Sequence, residues 1–302
     1  MKYLRNILAL GLAFVSLSST AAITEWIEFS RDSGHIRLPC KIAGIDGYAI
    51  IDSGANTNAI NRAFITKYDL EVDKGMPIIM DGAFGEQRTS LVNNIQAHVF
   101  STDAELDQLA LLSIGPPENQ IILGHSFLER FIVQFDYPNS RMRLMTREHV
   151  DLKSVANLDT RSNKGSKLPI VKVSMNNEED AWLLLDTGNN GGVIIKRGIA
   201  EHNDWLDRFE LSDVEYSGVN KTSVMQEFVL PSIQFGPFEL SDVPTLVPSK
   251  GSKINLMRPN GTMDRLGRSR KVQGIIGYDV LKHFVLTLDV KYGRAHIALP
   301  AA

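Results

Sequence analysis

The sequence predicts an all-β protein in which one β unit occurs twice. The chain is 43% hydrophobic and 22% charged, and its apolar residues fall in short runs bounded by Gly, Pro, Asn and Asp. Such runs are typical of strands. Two of them end in the same acidic motif, at residues 52–54 and 186–188, and the segments that close each half share their spacing. A duplicated unit that offers one acid per copy is the economical interpretation.

The first 22 residues are predicted to be a cleaved secretory signal. Lys2 and Arg5 precede an apolar run over residues 7–17, and small residues follow at 18–22; this is the order of regions in a signal peptide. The alternative is an uncleaved anchor, but the run is shorter than the roughly 20 residues that a spanning helix needs. We expect an exported protein without a stable membrane anchor, periplasmic in a Gram-negative host and secreted otherwise.

The net charge limits the kinds of partner that the protein binds, and the cysteine count limits its covalent cross-links. Lys2 and Arg5 are two of the 32 basic residues, so removing the signal leaves 30 against 35 acidic residues, a formal charge of -5. This balance argues against a nucleic-acid partner. Cys40 is the only cysteine, so no internal disulfide can form and the protein depends on its core. Because Cys40 alternates with Leu38 and Ile42, we interpret it as a buried strand residue rather than a reactive thiol.

Residues 23–150 are predicted to form the first lobe. A turn at residues 44–47 is expected to connect two strands, the second of which delivers Asp52 to a loop. A short helix is expected over residues 61–68. Further strands are predicted at residues 77–80, from 89 onward, and at 95–100, 110–114, 121–123, 131–136 and 141–144.

A linker and a second lobe complete the prediction. Residues 151–167 are rich in polar residues with little hydrophobic periodicity, so we interpret them as the linker. Residues 168–302 repeat the features of the first lobe in the same order. They also contain an insertion at 249–273 with seven Lys and Arg residues. One interpretation is a site for an acidic partner, but a solvated basic loop is the commoner outcome.

The segments that close the two lobes match most closely. Leu, Phe, Asp and Arg stand four, seven, twelve and seventeen residues after Gly124, and the same four residue types stand at the same offsets after Gly277. Agreement at four offsets is improbable by chance. This spacing supports the duplication independently of the acidic motifs.

The two acids suggest a chemistry. Carboxylates within hydrogen-bonding distance cannot both ionise cheaply, so Asp52 and Asp186 would share one proton and place an acid beside a base. Such a pair can activate a water molecule for attack on an amide carbonyl. No metal or cofactor is then required. The sequence also lacks the His-Glu-x-x-His and Gly-x-Ser-x-Gly motifs of other hydrolases.

The motifs Asp52-Ser53-Gly54 and Asp186-Thr187-Gly188, each followed at a distance by apolar residues and a glycine, Gly124 or Gly277, resemble the two halves of an aspartic peptidase. The spacing from acid to glycine is similar to that of compact retropepsin-like domains joined in tandem, as in exported bacterial members, more than to the larger lobes of pepsin. The resemblance covers most of the mature chain. It implies a bilobal, pepsin-like arrangement of two β-barrels with the active site between them.

The resemblance also implies roles for single residues. Asp52 and Asp186 would be the catalytic dyad, Ser53 and Thr187 would orient the acids and brace their loops, and Gly54 and Gly188 belong to the same loops. Gly124 and Gly277 would pack against them. A hairpin tip that holds Gly82, Phe84 and Gly85 would be a flap over an extended peptide, although the residues by themselves favour a plain surface turn. We expect a monomer that acts on a peptide or protein substrate.

Two features depart from the family pattern. The small residue that usually follows the glycine is present as Ala55 but is replaced by Asn189 in the second lobe, which would alter the geometry around the water molecule. The flap lacks the tyrosine of pepsin-like enzymes, which retropepsins also lack. These departures motivate a second hypothesis, a peptidase fold that binds peptides or proteins without cleaving them.

Two other interpretations of the acids have less support. Glycosidases also use two carboxylates, but they do not need matching Asp-hydroxyl-Gly loops, and three tryptophans offer few platforms for sugars. Two acids that merely cap their loops would require the same coincidence twice. The leading hypothesis is therefore an exported aspartic endopeptidase.

Overall fold

The computed structural model describes residues 23–32, 34–82, 85–218, 222–252, 254–256 and 271–300. Within these ranges the chain consists of strands with a few short helices, which confirms the prediction of an all-β fold. No helix in these ranges has the length and hydropathy needed to cross a bilayer. The predicted signal peptide (1–22), Phe84 and most of the basic insertion lie outside the described residues.

The first half of the chain supplies a barrel and three strands of a separate sheet. In chain order its elements are β1 (Ile27–Glu28), β2 (Arg37–Ile42), β3 (Ile45–Ile51), β4 (Ala59–Asn61), α1 (Arg62–Lys67), β5 (Asp73–Gly82), β6 (Gly85–Asn93), β7 (Ile95–Val99), β8 (Thr102–Leu106), β9 (Leu109–Leu112), β10 (Asn119–Leu123), α2 (His125–Leu128), β11 (Ile132–Asp136) and β12 (Arg141–Met145). The predicted short helix is α1, and it begins where the Asn61 side chain accepts a hydrogen bond from the Ala63 amide at 3.0 Å.

The second half repeats this plan. Its elements are α3 (Leu152–Val155), β13 (Thr160–Ser162), β14 (Pro169–Met175), β15 (Glu179–Leu185), β16 (Val193–Ile195), α4 (Arg197–His202), α5 (Trp205–Arg208), β17 (Ser212–Ser217), β18 (Thr222–Phe235), β19 (Phe238–Pro248), β20 (Gly274–Ile276), α6 (Tyr278–Leu281), β21 (Val285–Asp289) and β22 (Arg294–Ala298). Two elements, α3 and β13, lie inside the predicted linker. The linker is therefore not simply an irregular connection, because β13 pairs with β14 and Leu152 of α3 is buried.

Each half closes into a barrel of similar strand order. In the second half the strands follow the order β14-β15-β20-β16-β19-β18, and pairing of β14 with β18 closes the ring. In the first half the order is β2-β3-β10-β4-β9-β6, and β6 runs into β7, which pairs back with β2. Asn94 separates β6 from β7 with a φ of +58°, a left-handed value that asparagine tolerates. The long strand β18 of the second half thus corresponds to two strands, β6 and β7, in the first half.

The turn predicted at residues 44–47 is misplaced, because the turn in the structure lies at residues 43–44. Strand β3 already begins at Ile45, which pairs with Ile42. The turn consists of Ala43 and Gly44, whose φ values of +50° and +79° match a two-residue hairpin connection. The prediction was wrong because Asp46 and Gly47 are also typical turn residues, although here they continue strand β3.

A five-stranded antiparallel sheet joins the two halves, in the order β1-β12-β11-β21-β22. Its central pair, β11 and β21, comes from the two closing segments that match in sequence. Gln134 pairs with Thr287, and each stands ten residues after the conserved-spacing glycine of its half, Gly124 or Gly277. The Gln134 amide also donates a hydrogen bond to the Thr287 hydroxyl at 2.8 Å. A local two-fold axis therefore passes through this pair and relates the two halves.

An ion pair between the halves secures this sheet. Arg147 donates two hydrogen bonds of 2.9 Å to Asp289 and three more to backbone carbonyls at the end of α2. The Asp289 side chain is 3% exposed, so its charge depends on this partner. Asp289 is the acid that stands twelve residues after Gly277, so a feature of the repeat has a structural role here.

Replacing Arg147 tests the contribution of this pair. Arg147→Met leaves the buried Asp289 carboxylate without a cation, and we expect it to lower the free energy of unfolding by about 3 kcal/mol. The matched control is Lys172→Met, which removes the exposed pair with Asp180 and should cost under about 1 kcal/mol. Urea unfolding followed by tryptophan fluorescence measures both. Equal losses in the two variants would contradict the assignment.

Candidate active site

Equivalent strands deliver Asp52 and Asp186 to the centre of the molecule. Strand β3 ends at the residue before Asp52 and pairs in parallel with β10, while β15 ends at the residue before Asp186 and pairs in parallel with β20. Both strands are buried on both faces over their last residues. Such uninterrupted apolar runs are expected for strands whose two faces are both covered by protein. Each strand places its acid at the point where the chain leaves this buried region.

The loop after each strand holds its carboxylate by the same two bonds. The backbone amides of Gly54 and Ala55 donate to Oδ1 of Asp52 at 2.7 and 3.1 Å. The amides two and three residues after Asp186 donate to its Oδ1 at 2.8 and 3.2 Å. One oxygen of each acid is therefore fixed by its own loop, which leaves the other oxygen for a partner.

The two carboxyl groups lie side by side, and each shifts the pKa of the other. Each glycine of the motifs makes room for the opposite acid. A Cβ atom at Gly54 would lie 2.5 Å from the Asp186 carboxyl, and one at Gly188 would lie 2.4 Å from that of Asp52. Any side chain at either position would separate the carboxyl groups, so glycine is required by close approach.

Burial and mutual repulsion determine which acid holds the proton. Both residues keep part of their surface exposed, yet protein atoms surround them densely. Burial raises the pKa of Asp186 well above its ordinary range, and the negative charge of Asp52 raises it further. Burial also raises the pKa of Asp52, but the hydrogen bond from Asp186, the loop amides and the charge of His35 oppose that rise. The arrangement favours a proton on Asp186 and a charge on Asp52.

His35 is a neighbour of the pair that the sequence did not indicate. Its Nδ1 lies 2.9 Å from the Gly188 carbonyl oxygen, and because a carbonyl only accepts, the ring nitrogen donates. The histidine belongs to the first half and the carbonyl to the second, so this bond crosses between the loops. His35 lies in the bend before β2, and nothing in the local sequence marks it as a neighbour of the acids.

Ser53 and Thr187 bind the two loops to each other. The Ser53 hydroxyl donates to the Leu185 carbonyl at 2.7 Å, and the Thr187 hydroxyl donates to the Ile51 carbonyl at 3.0 Å. Each hydroxyl also accepts from the backbone amide of the other residue at 3.0 Å. Both side chains are buried. Their hydrogen bonds run to the opposite backbone, so they position the acids through the loops.

Gly124 and Gly277 lie directly beneath these loops. A Cβ atom at Gly124 would meet the Ala55 carbonyl oxygen at 2.7 Å, and one at Gly277 would meet that of Asn189 at the same distance. The amides that follow the two glycines donate to these carbonyls at 2.8 and 3.0 Å. The structure thus brings both distal glycines to the acidic loops.

Asn189 occupies the place that Ala55 holds in the first half. Its Oδ1 accepts from the Gly191 amide at 3.1 Å and from the Tyr216 hydroxyl at 2.8 Å, and its Nδ2 donates to the Gly192 carbonyl at 3.3 Å. These bonds direct the amide side chain into its own loop. The backbone amide of Asn189 still bonds to the acid, as that of Ala55 does.

Tyr216 is a second neighbour to which the sequence analysis gave no role. It lies in β17, at the hairpin of the second half that corresponds to the glycine hairpin of the first. Burial raises its pKa, and the charges of both acids raise it further, so its hydroxyl stays protonated and donates. The matching position of the two hairpins was the signal that could have identified it.

The expected flap is the hairpin of β5 and β6. The strands remain paired up to Gly82 and Gly85, and Gly85 has a φ of +138°, which suits a glycine at a tight tip. Phe84 lies outside the described residues. Ile78 and Met80 of β5 pack against an apolar cluster that includes Ile50, which stands two residues before Asp52. The hairpin is therefore packed on the half of the molecule that carries Asp52.

No group of three or more His, Cys, Asp or Glu side chains that could hold a metal ion occurs in the part of the chain that the structure describes.

Comparison with known families places both halves in the same group. Residues 38–130 match the family described as gag-polyprotein aspartyl protease, and residues 171–280 match the family described as aspartyl protease. Each match contains one acidic motif and its distal glycine. No curated protein matches the chain significantly.

Removing the Thr187 hydroxyl tests the bond network between the loops. Thr187→Val keeps the shape but leaves the Ile51 carbonyl and the Ser53 amide without partners, and each such buried group costs about 1–3 kcal/mol of unfolding free energy. Thr187→Ser keeps the hydroxyl, as Ser53 does at the equivalent position, and should lose only about 0.8 kcal/mol for its methyl group. Chemical denaturation compares the two. A serine variant as unstable as the valine variant would refute the role of the hydroxyl.

The raised pKa of Asp186 predicts a pH dependence of stability. Above the ordinary value of 3.8 the unfolded chain has lost a proton that the folded protein keeps, so stability falls as the pH rises toward the folded pKa. Asparagine cannot ionise, and its amide can still donate to Asp52. We expect Asp186→Asn to raise Tm relative to wild type at about pH 7 and to lose this advantage at about pH 3.5.

Asp242→Asn is the matched control, because Asp242 is exposed and its substitution should change Tm equally at both pH values. Thermal unfolding of the three proteins at each pH gives the result. A Tm advantage of Asp186→Asn that is independent of pH would contradict the assigned proton.

Proposed function

Each half of the chain belongs to the aspartic peptidase family, and from this premise we propose that the protein is an aspartic endopeptidase with Asp52 and Asp186 as its catalytic dyad. The observation that carries the proposal is the close approach of two carboxyl groups, each of which is held by the same two backbone amides of its own loop. Such a pair supplies an acid and a base side by side. Its substrates are peptides or proteins, and the reaction needs no cofactor.

The proposed mechanism follows from the distribution of charge. Ionised Asp52 takes a proton from a water molecule, and the water oxygen forms a bond to the carbonyl carbon of the peptide. Protonated Asp186 gives its proton to the carbonyl oxygen at the same time, which yields a neutral tetrahedral intermediate.

The intermediate collapses when one hydroxyl returns its proton to Asp186 and Asp52 gives its proton to the nitrogen. The carbon–nitrogen bond then breaks, and the dyad recovers its single proton.

The hairpin of β5 and β6 supports binding of an extended peptide. Its residues Ile78 and Met80 pack against the apolar cluster that contains Ile50, and the corresponding hairpin of β17 and β18 brings Tyr216 to the loop of Asp186. A peptide strand between these hairpins and the dyad would place its backbone near both acids. Endopeptidase activity is therefore favoured over removal of terminal residues.

Substitution of the dyad tests the proposed function. Asp52→Asn removes the base and Asp186→Asn removes the acid, so we expect each variant to lose peptide cleavage by at least about 100-fold. The assay uses the chain without residues 1–22 and a peptide library from acid to neutral pH. Asp242→Asn, at an exposed site, should cleave as wild type does.

The pH profile provides a further readout of the same experiment. Activity should fall as the pH rises through the raised pKa of Asp186, because the acid is then lost, and it should also fall when Asp52 becomes protonated. Persistent cleavage by both Asn variants would remove the mechanism. Peptide binding by wild type and Asp52→Asn with equal affinity, without turnover at any pH, would favour a binding module instead.

A further inference from the structure

A cavity of about 280 Å³ lies at the start of the insertion, apart from the acidic loops. The described residues that line it are Lys196, Arg197, Gly198, Pro248, Ser252 and Ile254. The first three connect β16 to α4, Pro248 ends β19, and the last two belong to the insertion. None of these six residues belongs to the loop of either acid, so the proposed peptidase activity does not account for the cavity.

The cavity and the acids lie at opposite ends of β16. At one end, beside the loop of Asp186, the Gly192 carbonyl accepts a hydrogen bond from the Gly277 amide at 3.0 Å. At the other end, the Lys196 amide donates to the Gln273 carbonyl at 3.0 Å. Gly192 and Lys196 are four residues apart along the chain, which is about 13 Å in a strand. The cavity is therefore a second site rather than a part of the first.

Lys196 brings a positive charge to the cavity that no acid balances. Its Nζ donates to the Val272 carbonyl at 2.8 Å, which fixes the position of the ammonium group but leaves its charge. Burial lowers the pKa of Lys196, and the positive charge of Lys271 lowers it further. Among the described residues, no carboxylate pairs with this ammonium group. An anion in the cavity would supply the missing charge.

Arg197 is held beside Lys196 by three hydrogen bonds. Its Nε donates to Glu201 at 2.9 Å, and its Nη1 donates to the Gln226 side chain at 2.6 Å and to the Pro248 carbonyl at 3.2 Å. None of these bonds uses Nη2. Glu201 offsets the charge of Arg197, so the local excess of positive charge belongs to Lys196. A guanidinium group that is already fixed binds an anion with less loss of entropy.

The insertion adds to the positive charge of this part of the chain. Residues 249–273 contain seven Lys and Arg residues and a single acidic residue. Lys250 lies two residues before Ser252, Lys271 precedes the residue whose carbonyl binds Lys196, and both Lys250 and Lys271 are exposed. Such an excess of one sign attracts an oppositely charged partner before contact. It favours a partner with several negative charges over a single small anion.

The remaining lining is apolar on one side. Pro248 and Ile254 are buried and present hydrocarbon to the cavity. A glutamate side chain matches this combination, because its methylene groups can contact hydrocarbon while its carboxylate contacts the cations. None of the six described lining residues is aromatic, and aromatic rings are the platforms on which single-stranded nucleic acids stack. The lining therefore favours an acidic peptide over a nucleic acid.

We propose that this cavity is a binding site for an acidic segment of a peptide or protein, in which Lys196 and Arg197 pair with the carboxylate of a glutamate or aspartate. Lys250 and Lys271 offer their charges to further acidic residues of the same segment. Binding at this site does not depend on hydrolysis by the dyad.

Fluorescence anisotropy tests the site with fluorescein-labelled hexaglutamate, and labelled hexaglutamine is the uncharged control peptide. The protein is the chain without residues 1–22 in an Asp52→Asn background, in which the peptide should not be cleaved. We expect Lys196→Met to weaken hexaglutamate binding by at least about tenfold, because the charge is lost while the hydrocarbon stem remains. Lys196→Arg should bind nearly as well as the parent. Lys153→Met is the matched control, because it removes one positive charge from an exposed site in α3.

Gly198 allows a second test that needs no added peptide. A Cβ atom at this position has no neighbouring segment within 4 Å, so a longer side chain can be introduced without a clash. We expect Gly198→Glu to place a carboxylate in the cavity and to weaken hexaglutamate binding by at least about tenfold. Gly198→Glu should also have a higher Tm than Gly198→Gln, and this difference should shrink when Lys196→Met is added to both.

Each outcome supports or overturns the site. Binding of hexaglutamate but not hexaglutamine, lost in Lys196→Met and Gly198→Glu and kept in Lys153→Met, supports it. Equal losses in Lys196→Met and Lys153→Met overturn it, as does a failure to bind hexaglutamate at low ionic strength. Displacement of the peptide by an equal concentration of inorganic phosphate would identify a site for small anions, and tighter binding of oligodeoxythymidylate would identify a nucleic-acid site. Either result overturns the proposal, and none of these results bears on peptide cleavage by the wild-type dyad.

Discussion

The structure depends on four hydrogen bonds between Ser53, Thr187 and the opposite backbone. Two neighbouring carboxyl groups repel each other whenever both ionise, so their loops need other interactions to stay together. The hydroxyls offset that tendency because each satisfies a carbonyl and an amide that would otherwise be buried without partners. The approach of the two acids is therefore imposed by neutral groups beside them.

Two-fold symmetry organises the molecule from the dyad to the sheet that joins the halves. The axis marked by Gln134 and Thr287 relates the closing segments, and the hydrogen bonds of the acidic loops obey the same symmetry. A duplicated sequence folds this way because equal units can bury the same faces against each other. Two departures from this symmetry, His35 and Tyr216, lie at the acidic loop of the second half, where His35 donates to the Gly188 carbonyl and Tyr216 donates to Asn189.

Much of the fold could be predicted from the sequence, and the errors have physical causes. Strands such as β3 and β15 were recognisable from their apolar runs, and a short helix was expected at the position of α1. The strand β13 was missed because its three residues are not apolar, and it forms only by pairing with β14. The turn before Ile45 was misplaced because two adjacent pairs of residues have turn chemistry, and only the pairing of β2 with β3 selects one.

The sequence by itself determined that each half contains an acid at the end of a buried strand, a hydroxyl beside it and a glycine further on, because these are local patterns repeated at fixed spacing. Only the tertiary structure decided that the two carboxyl groups lie side by side and that the hydroxyls bind the opposite loop. It also decided that His35 and Tyr216 lie at the loop of Asp186. These contacts join residues far apart in the chain, and no local spacing encodes them, since they arise when the two halves pack face to face.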